Sequence, residues 1–356
     1  MDYSSLEYKA PSYELLDRKG ITPEKEAAHK ALRRFSYSKS AKCFVSNTAE
    51  KDHITMLFAG DLLCQESMHE KFTLKNGGFD FSACFAFVKP LLKSADFAAG
   101  NLETSITHTA PCRGEILTHE GPYFCNAPAE YLEALSDCGF DMLTTANNHT
   151  LDAGARGIVE TLENIDKCGI IRTGTFKEES DPRYAIVDIC GFKVGFAAFT
   201  YAFNTMEKNL TPYGKKLLLN TYSKATAKEI FKKMKRNGAE YMICFPHWGK
   251  EYTQEISAKQ LLMARDLTKI GYHAVLGSHS HQIQCCSRVN DKDVCYSLGN
   301  LISHMNKPAA ILKNAQYTVL SKIDLTRSGK NITSEISYIP CRILVNYKGI
   351  PYTVLP

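Results

Sequence analysis

The chain has 356 residues, 44% of them hydrophobic and 23% charged, with a formal net charge of +5. That size suits one large α/β domain with appendages, and the composition is that of an ordinary soluble globular protein. The mild charge gives no footing for a nucleic-acid partner. No apolar run reaches the roughly 18 residues a membrane span needs, and the N-terminus shows no signal peptide, so a cytoplasmic location is expected.

Residues 1–52 read as an N-terminal extension, polar overall, with a short helix from Pro23 to Arg34 and no apolar stripe wide enough for a core of its own. The main domain is expected over 53–345. Ile54 to Ala59 is a short apolar run closed by Gly60-Asp61, the form of a buried parallel strand ending in a polar turn. Phe81, Phe85, Val88, Leu91 and Leu92 follow at helical spacing and read as core. A second strand is expected over Ala95 to Ala99, followed by Gly100-Asn101-Leu102-Glu103.

Residues 104–127 read as a long connection carrying His108, Cys112, His119, Glu120, Pro122 and Cys125, in the position of a lid or substrate-binding loop. A helix from Pro128 to Cys138 leads into a strand at Phe140 to Leu143 and then the stretch Ala146-Asn147-Asn148-His149-Thr150-Leu151-Asp152-Ala153-Gly154. The next helix, 155–168, ends at Gly169. Tyr184 to Ile189 and Phe192 to Phe199 form a hairpin turned at Cys190-Gly191. Helix 223–237 carries Lys232, Lys233, Lys235 and Arg236 on a solvated face, with Ile230, Phe231 and Met234 inward.

Strand Tyr241 to Phe245 closes at Pro246-His247-Trp248-Gly249, and helix Ser257 to Ile270 precedes the strand Ala274 to Leu276. Gly277-Ser278-His279-Ser280-His281 follows, then a strand from Val294 to Leu298 ending at Gly299-Asn300. Alternating patterns at 317–323 and 332–345 read as antiparallel edge strands, and 346–356 as a C-terminal tail. Strands alternating with helices imply a mainly parallel sheet. Thirteen cysteines without ligand spacing read as reduced, mostly buried thiols rather than a disulfide framework or a zinc ribbon.

Every chemically useful group falls just past the C-terminal end of a strand: Asp61, Asn101 with Glu103, Asn148 with His149, His247, His279 with His281, and Asn300. In parallel sheets those ends lie side by side, so residues far apart in sequence meet in one crevice. Imidazole together with carboxylate suits Zn, Mn, Fe or Ni rather than an all-oxygen Mg or Ca site. Six or more potential ligands exceed the needs of one tetrahedral metal and match two divalent ions sharing a bridging carboxylate.

Phe58-Ala59-Gly60-Asp61, Asn101-Leu102-Glu103, Asn147-Asn148-His149 through Gly154, His247-Trp248-Gly249-Lys250-Glu251-Tyr252, Gly277 to His281 with Gln284, and Tyr296-Ser297-Leu298-Gly299-Asn300 together resemble the CapA family. These are poly-gamma-glutamate capsule-synthesis proteins within the calcineurin-like metallophosphoesterases. The resemblance implies a four-layer α/β sandwich, with mainly parallel central sheets flanked by helices. It also implies two divalent ions (Mn, Fe or Zn) on Asp61, Glu103 as bridge with Asn101 as competitor, Asn148, His247, His279 and His281.

By the same resemblance, His149 would be the general acid, Asp152 would orient it, and Glu251 and Asn300 would line the substrate pocket. The implied partner is an anionic small molecule or polymer, and the implied activity a hydrolase acting on a phosphoester or amide. The alternative is an accessory protein without catalysis that binds poly-gamma-glutamate or a synthase complex. Two departures stand out. Leu63 replaces the histidine of the superfamily's Asp-x-His motif, and Ser278 stands where relatives often have a further histidine.

Overall fold

The structure, a computed structural model, describes residues 3–8, 20–75, 77–107, 124–304 and 312–356. After a 3-10 turn at Tyr3–Ser5 come α1 (Pro23–Ala31), β1 (Phe35–Ser38), β2 (Cys43–Ser46) and β3 (His53–Leu62). The short helices α2 (Glu66–Phe72), α3 (Ser82–Phe85) and α4 (Lys89–Ser94) lead to β4 (Phe97–Leu102). Then follow β5 (Ser105–Ile106), β6 (Asn126–Ala127), α5 (Ala129–Cys138), β7 (Met142–Thr144), α6 (Gly154–Lys167) and β8 (Ile171–Thr173). The second half opens with β9 (Ala185–Ile189), β10 (Phe192–Thr200), α7 (Pro212–Leu218), α8 (Lys224–Arg236), β11 (Tyr241–His247) and α9 (Ala258–Ile270). It closes with β12 (Ala274–Leu276), β13 (Ile283–Val289), β14 (Lys292–Leu298), β15 (Asn300–Ile302), β16 (Tyr317–Ser328), β17 (Asn331–Val345) and β18 (Pro351–Val354).

Two large sheets stack face to face. One has the order β1-β2-β9-β10-β11-β12-β14-β13; the other runs β18-β17-β16-β3-β4-β7-β8, with β15 also paired to β3. The centres are parallel: β10-β11-β12-β14 in the first sheet and β3-β4-β7-β8 in the second. The antiparallel pairs lie towards the edges, where β13 and β16 to β18 add on.

Three apolar layers hold this arrangement. Between the sheets, Phe58 and Phe97 meet Phe196 and Phe245; the Phe97 and Phe196 rings stack at 5.1 Å. Outside the second sheet, Phe85, Leu92, Tyr131, Leu135, Ile158 and Leu162 cover Leu57, Ala98 and Leu143. Outside the first, Ala227, Ile230, Met234, Met263 and Leu267 cover Ala197, Met242 and Val275. The result is helix, sheet, sheet, helix: four layers, each strand of the centre buried on both faces as its unbroken apolar run requires.

Several local differences have plain causes. The second strand lies at 97–102 because Asp96 is spent on a turn, its carboxylate accepting from Thr55 N at 2.9 Å. The aromatic series splits into α3 and α4, with Phe81, Phe85, Val88 and Leu92 buried. Strands β1 and β2 were not expected; β2 docks beside β9 with Cys43 buried. Helix α7 begins on Thr211, whose side chain caps Gly214 N, with Pro212 at the first turn, a start signal hidden in a loop-like composition.

Among the described residues, ten cysteines are free and nine of those are buried. One pair corrects the all-reduced expectation: Cys286 and Cys295 face each other across β13 and β14 and are bonded there. Of the long connection, His108, Cys112, His119, Glu120 and Pro122 lie outside the described residues. Among the described residues, no helix is long and apolar enough to cross a membrane.

Candidate metal centre

Strand ends from both sheets deliver the polar groups to one crevice. Asp61 is the second-to-last residue of β3, Glu103 lies just beyond β4, and Asn148, His149 and Asp152 lie in the loop between β7 and α6. From the other sheet, His247 ends β11, while His279 and His281 follow β12. All eight are buried. His279 and His281 have φ of 96° and 56°, a left-handed backbone costly for histidine. Strain of this kind, of order 1–3 kcal/mol per residue, persists where the surroundings fix it and gathers at functional sites.

Among the described residues, three groups of ligand atoms lie within 4.8 Å of one another: Asp61, Glu103 and His281; Glu103, His247 and His279; and, beside these, Cys125, His149 and Asp152. Glu103 belongs to the first two. Its Oε1 is 3.3 Å from His247 Nε2 and its Oε2 is 3.9 Å from His281 Nδ1. Both Glu103 oxygens and His279 Nδ1 are buried without a hydrogen-bond partner. Leaving such groups unsatisfied costs about 1–3 kcal/mol each, more when charged.

The remaining partners are tightly specified. Asp61 Oδ2 accepts from His279 N at 3.0 Å and Oδ1 from Asn101 Nδ2 at 2.8 Å. Asn101 Oδ1 is turned away, accepting from Thr144 Oγ1 and Asn147 Nδ2. Asn101 thus meets the cluster through its N–H, as a holder of Asp61. Asn148 Oδ1 bonds His247 Nε2 at 2.8 Å, and Ser278 Oγ bonds His247 Nδ1 at 2.9 Å. Asn300 Oδ1 lies 2.9 Å from His281 Nδ1. Glu251 is half-buried nearby, and its charge acts on both Glu103 and His279.

Beside the cluster, His149 Nδ1 bonds Asp152 Oδ2 at 2.7 Å, and the same oxygen accepts from Cys125 N at 2.5 Å. Burial works against a charged His149, but the Asp152 carboxylate and the Cys125 contact outweigh it and raise its pKa well above the usual range. The cluster shows the opposite pattern. Burial, helped by Glu103, lifts Asp61 to about 6, and burial lifts Glu103 to about 7. Burial lowers His247 to about 3 and holds His279 well below its ordinary value. His247 and His279 are thereby kept neutral, with their ring lone pairs available.

Sequence reading named every residue of this cluster but missed its supports: Ser278 on His247, the Cys125 amide on Asp152, and Asn147, which fixes the loop through Leu102 O and His149 N. Ser278 carried a signal, standing inside the motif Gly277 to His281 where relatives often have a histidine; the Cys125 amide carried none, because a backbone donor has no sequence signature.

Residues 55–305 match the family described as "Bacterial capsule synthesis protein PGA_cap". Among named relatives, the capsule biosynthesis protein CapA of Bacillus anthracis is 26% identical over 71% of this chain and 60% of its own length. The PGA biosynthesis protein CapA of Bacillus subtilis is 23% identical over 75% of this chain and 68% of its own. This chain thus spans about 60% of the length of the anthrax relative. Among solved structures, the calcineurin-like phosphoesterase YfkN of Bacillus subtilis aligns with TM-score 0.48 and 15% identity, covering 80% of this chain and 90% of that one.

Proposed function

The chain belongs to the PGA_cap family of bacterial capsule synthesis proteins, and on that premise we propose that it is a metal-dependent hydrolase with a dinuclear centre bridged by Glu103. The observation that carries this reading is the shared carboxylate: Glu103 stands in two of the three ligand groups, with neither oxygen hydrogen-bonded. A mixed set of imidazole, carboxylate and amide donors fits Mn, Fe or Zn. Asp61, Glu103 and His281 would hold one ion; Glu103, His247, His279 and the Asn148 amide oxygen would hold the other. When bound, such a pair supplies Lewis acidity and lowers the pKa of water to near neutrality.

The chain's own residues supply the rest. His149 carries a proton at neutral pH, and with Nδ1 engaged by Asp152 its Nε2 is the atom that gives a proton to the leaving group. Asp152, held in turn by the Cys125 amide, fixes the ring's tautomer and direction. Glu251 lines the crevice and selects against substrate groups whose negative charge falls beside it. The names of the two CapA relatives support an anionic capsule polymer, poly-gamma-glutamate, as substrate, cut at a phosphoester or a gamma-glutamyl amide.

Leu63, without a donor atom where the superfamily's motif has histidine, favours a second reading: an accessory protein that binds the polymer or a synthase complex without catalysis. One experiment parts the two. Chelator-stripped protein reconstituted with Mn or Zn is offered phosphomonoesters, phosphodiesters and gamma-glutamyl polymers. Hydrolysis that falls by roughly 10²–10⁴ in His149→Ala, with metal content unchanged, is the expected result. Full metal content with no turnover of any of the three classes contradicts the hydrolase.

A further inference from the structure

The geometry points to Asn300 as a metal ligand that takes the place of the imidazole missing at Leu63, an inference that rests on the dinuclear reading above. The group formed by Asp61, Glu103 and His281 offers one imidazole and two carboxylates, one donor short of the tetrahedral minimum. Leu63 cannot complete it: its side chain is buried and apolar, and its N–H is spent on Ile302 O at 3.1 Å. That same backbone bond belongs to the pairing that brings Asn300 in. Strand β15 runs parallel to the end of β3, with Asn300 in register with Asp61.

Asn300 is fully buried, at 0% exposure, so its amide must be satisfied inside the protein. Its Nδ2 donates to Ser303 Oγ at 3.2 Å, which turns Oδ1 toward the cluster, 2.9 Å from His281 Nδ1. That Nδ1 is also the ring nitrogen nearest the carboxylates, 3.7 Å from Asp61 Oδ2 and 3.9 Å from Glu103 Oε2. An Asn that merely oriented His281 would hold the nitrogen remote from the carboxylates; this one meets the nitrogen that faces them. Asp61 Oδ2, Glu103 Oε2, His281 Nδ1 and Asn300 Oδ1 therefore converge as three oxygens and one nitrogen. Glu103 Oε2, buried and without a hydrogen-bond partner, independently marks the point they face.

Replacing an imidazole by an amide oxygen makes this position harder in donor character than the one served by His247 and His279. It favours Mn(II) or Mg(II) over Zn(II) there, giving two unequal sites. The test loads the full-length protein with Mn(II) after chelator stripping and reads metal content and affinity, with circular dichroism as the check on folding. Wild type takes up two equivalents; Asn300→Ala keeps one, with the other weakened by more than roughly 100-fold, beyond what loss of an outer-shell contact gives. Asn300→Asp, which retains the oxygen donor, keeps both. Two equivalents in Asn300→Ala with affinities within tenfold of wild type, or loss of an equivalent in Asn300→Asp, overturns the assignment. A wild type that binds fewer than two equivalents overturns the dinuclear reading instead.

Discussion

At the scale of single residues, Glu103 concentrates the energetics of the site. A carboxylate buried without donors keeps its proton to about pH 7, and Asp61 does so to about 6. Folded-state values raised above the usual carboxylate range contribute stability that is complete below the unfolded values. That contribution is lost as pH rises through 6 and then 7. His247 and His279, lowered by burial, run the other way: their contribution is present above the ordinary histidine value and is lost as pH falls. Within the cluster the two trends oppose each other.

Metal uptake runs in one direction. A cation must displace the carboxyl protons, so affinity should climb as pH rises through 6 to 7, with protons released on loading below that range. Titration calorimetry in buffers of differing ionisation enthalpy reads both quantities; an affinity flat across that window contradicts the protonated-acid picture. Glu103→Gln removes the group that links both ligand sets. It should abolish two-metal retention while leaving the thermal midpoint in chelator equal to or above wild type, because one ionisable group fewer has to be desolvated on folding. A midpoint lowered by several degrees would assign Glu103 a structural role.

At the scale of elements, the site depends on how closely β3 and β15 approach. A Cβ on Gly60 would fall 2.0 Å from Gly299 O, inside any real contact, and the neighbouring Asp61 N–H donates to the same oxygen at 2.9 Å. Gly60→Ala must therefore push β15 from β3 and draw Asn300 away from Asp61. Metal affinity should drop at least tenfold even where the protein still folds, and unchanged affinity would show that the strand contact does not set the site.

Element order was legible in the chain because buried parallel strands are unbroken apolar runs: 274–276 and 241–245 read directly, as did the helices over 129–138 and 258–270. What escaped was whatever depends on pairing. Strand β13 is mostly exposed or half-buried, with Gln284 its one buried residue, and exists through its partner β14. Strands β1 and β2 carry few buried residues and are stabilised by docking against β9. The candidate ligands were visible because each follows an apolar run; the direction of the Asn101 amide was not, since its partners Thr144, Asn147 and Asp61, distant in sequence, fix it.

At the scale of the molecule, residues before β3 are joined to the sandwich by specific contacts. Arg34 pairs with Asp141 and donates to Ala95 O at 2.7 Å, while Asp141 also accepts from Ala98 N at 2.8 Å. The Asp141 side chain is only 7% exposed, so Arg34→Ala leaves a buried carboxylate short of its cation. A loss of about 2–3 kcal/mol in chemical denaturation is expected, with metal content unaltered, since this pair lies at the opposite end of β4 and β7 from the crevice. A loss below about 0.5 kcal/mol would mean that 20–52 is an appendage rather than part of the fold.

The whole account turns on two cations sharing one carboxylate. Electron paramagnetic resonance of the protein loaded with two equivalents of Mn(II) reads that sharing directly, because ions a few ångströms apart are exchange-coupled. The account predicts the multiline spectrum of a coupled pair, collapsing to an uncoupled six-line signal in Glu103→Gln; an uncoupled signal in wild type at full loading would contradict it.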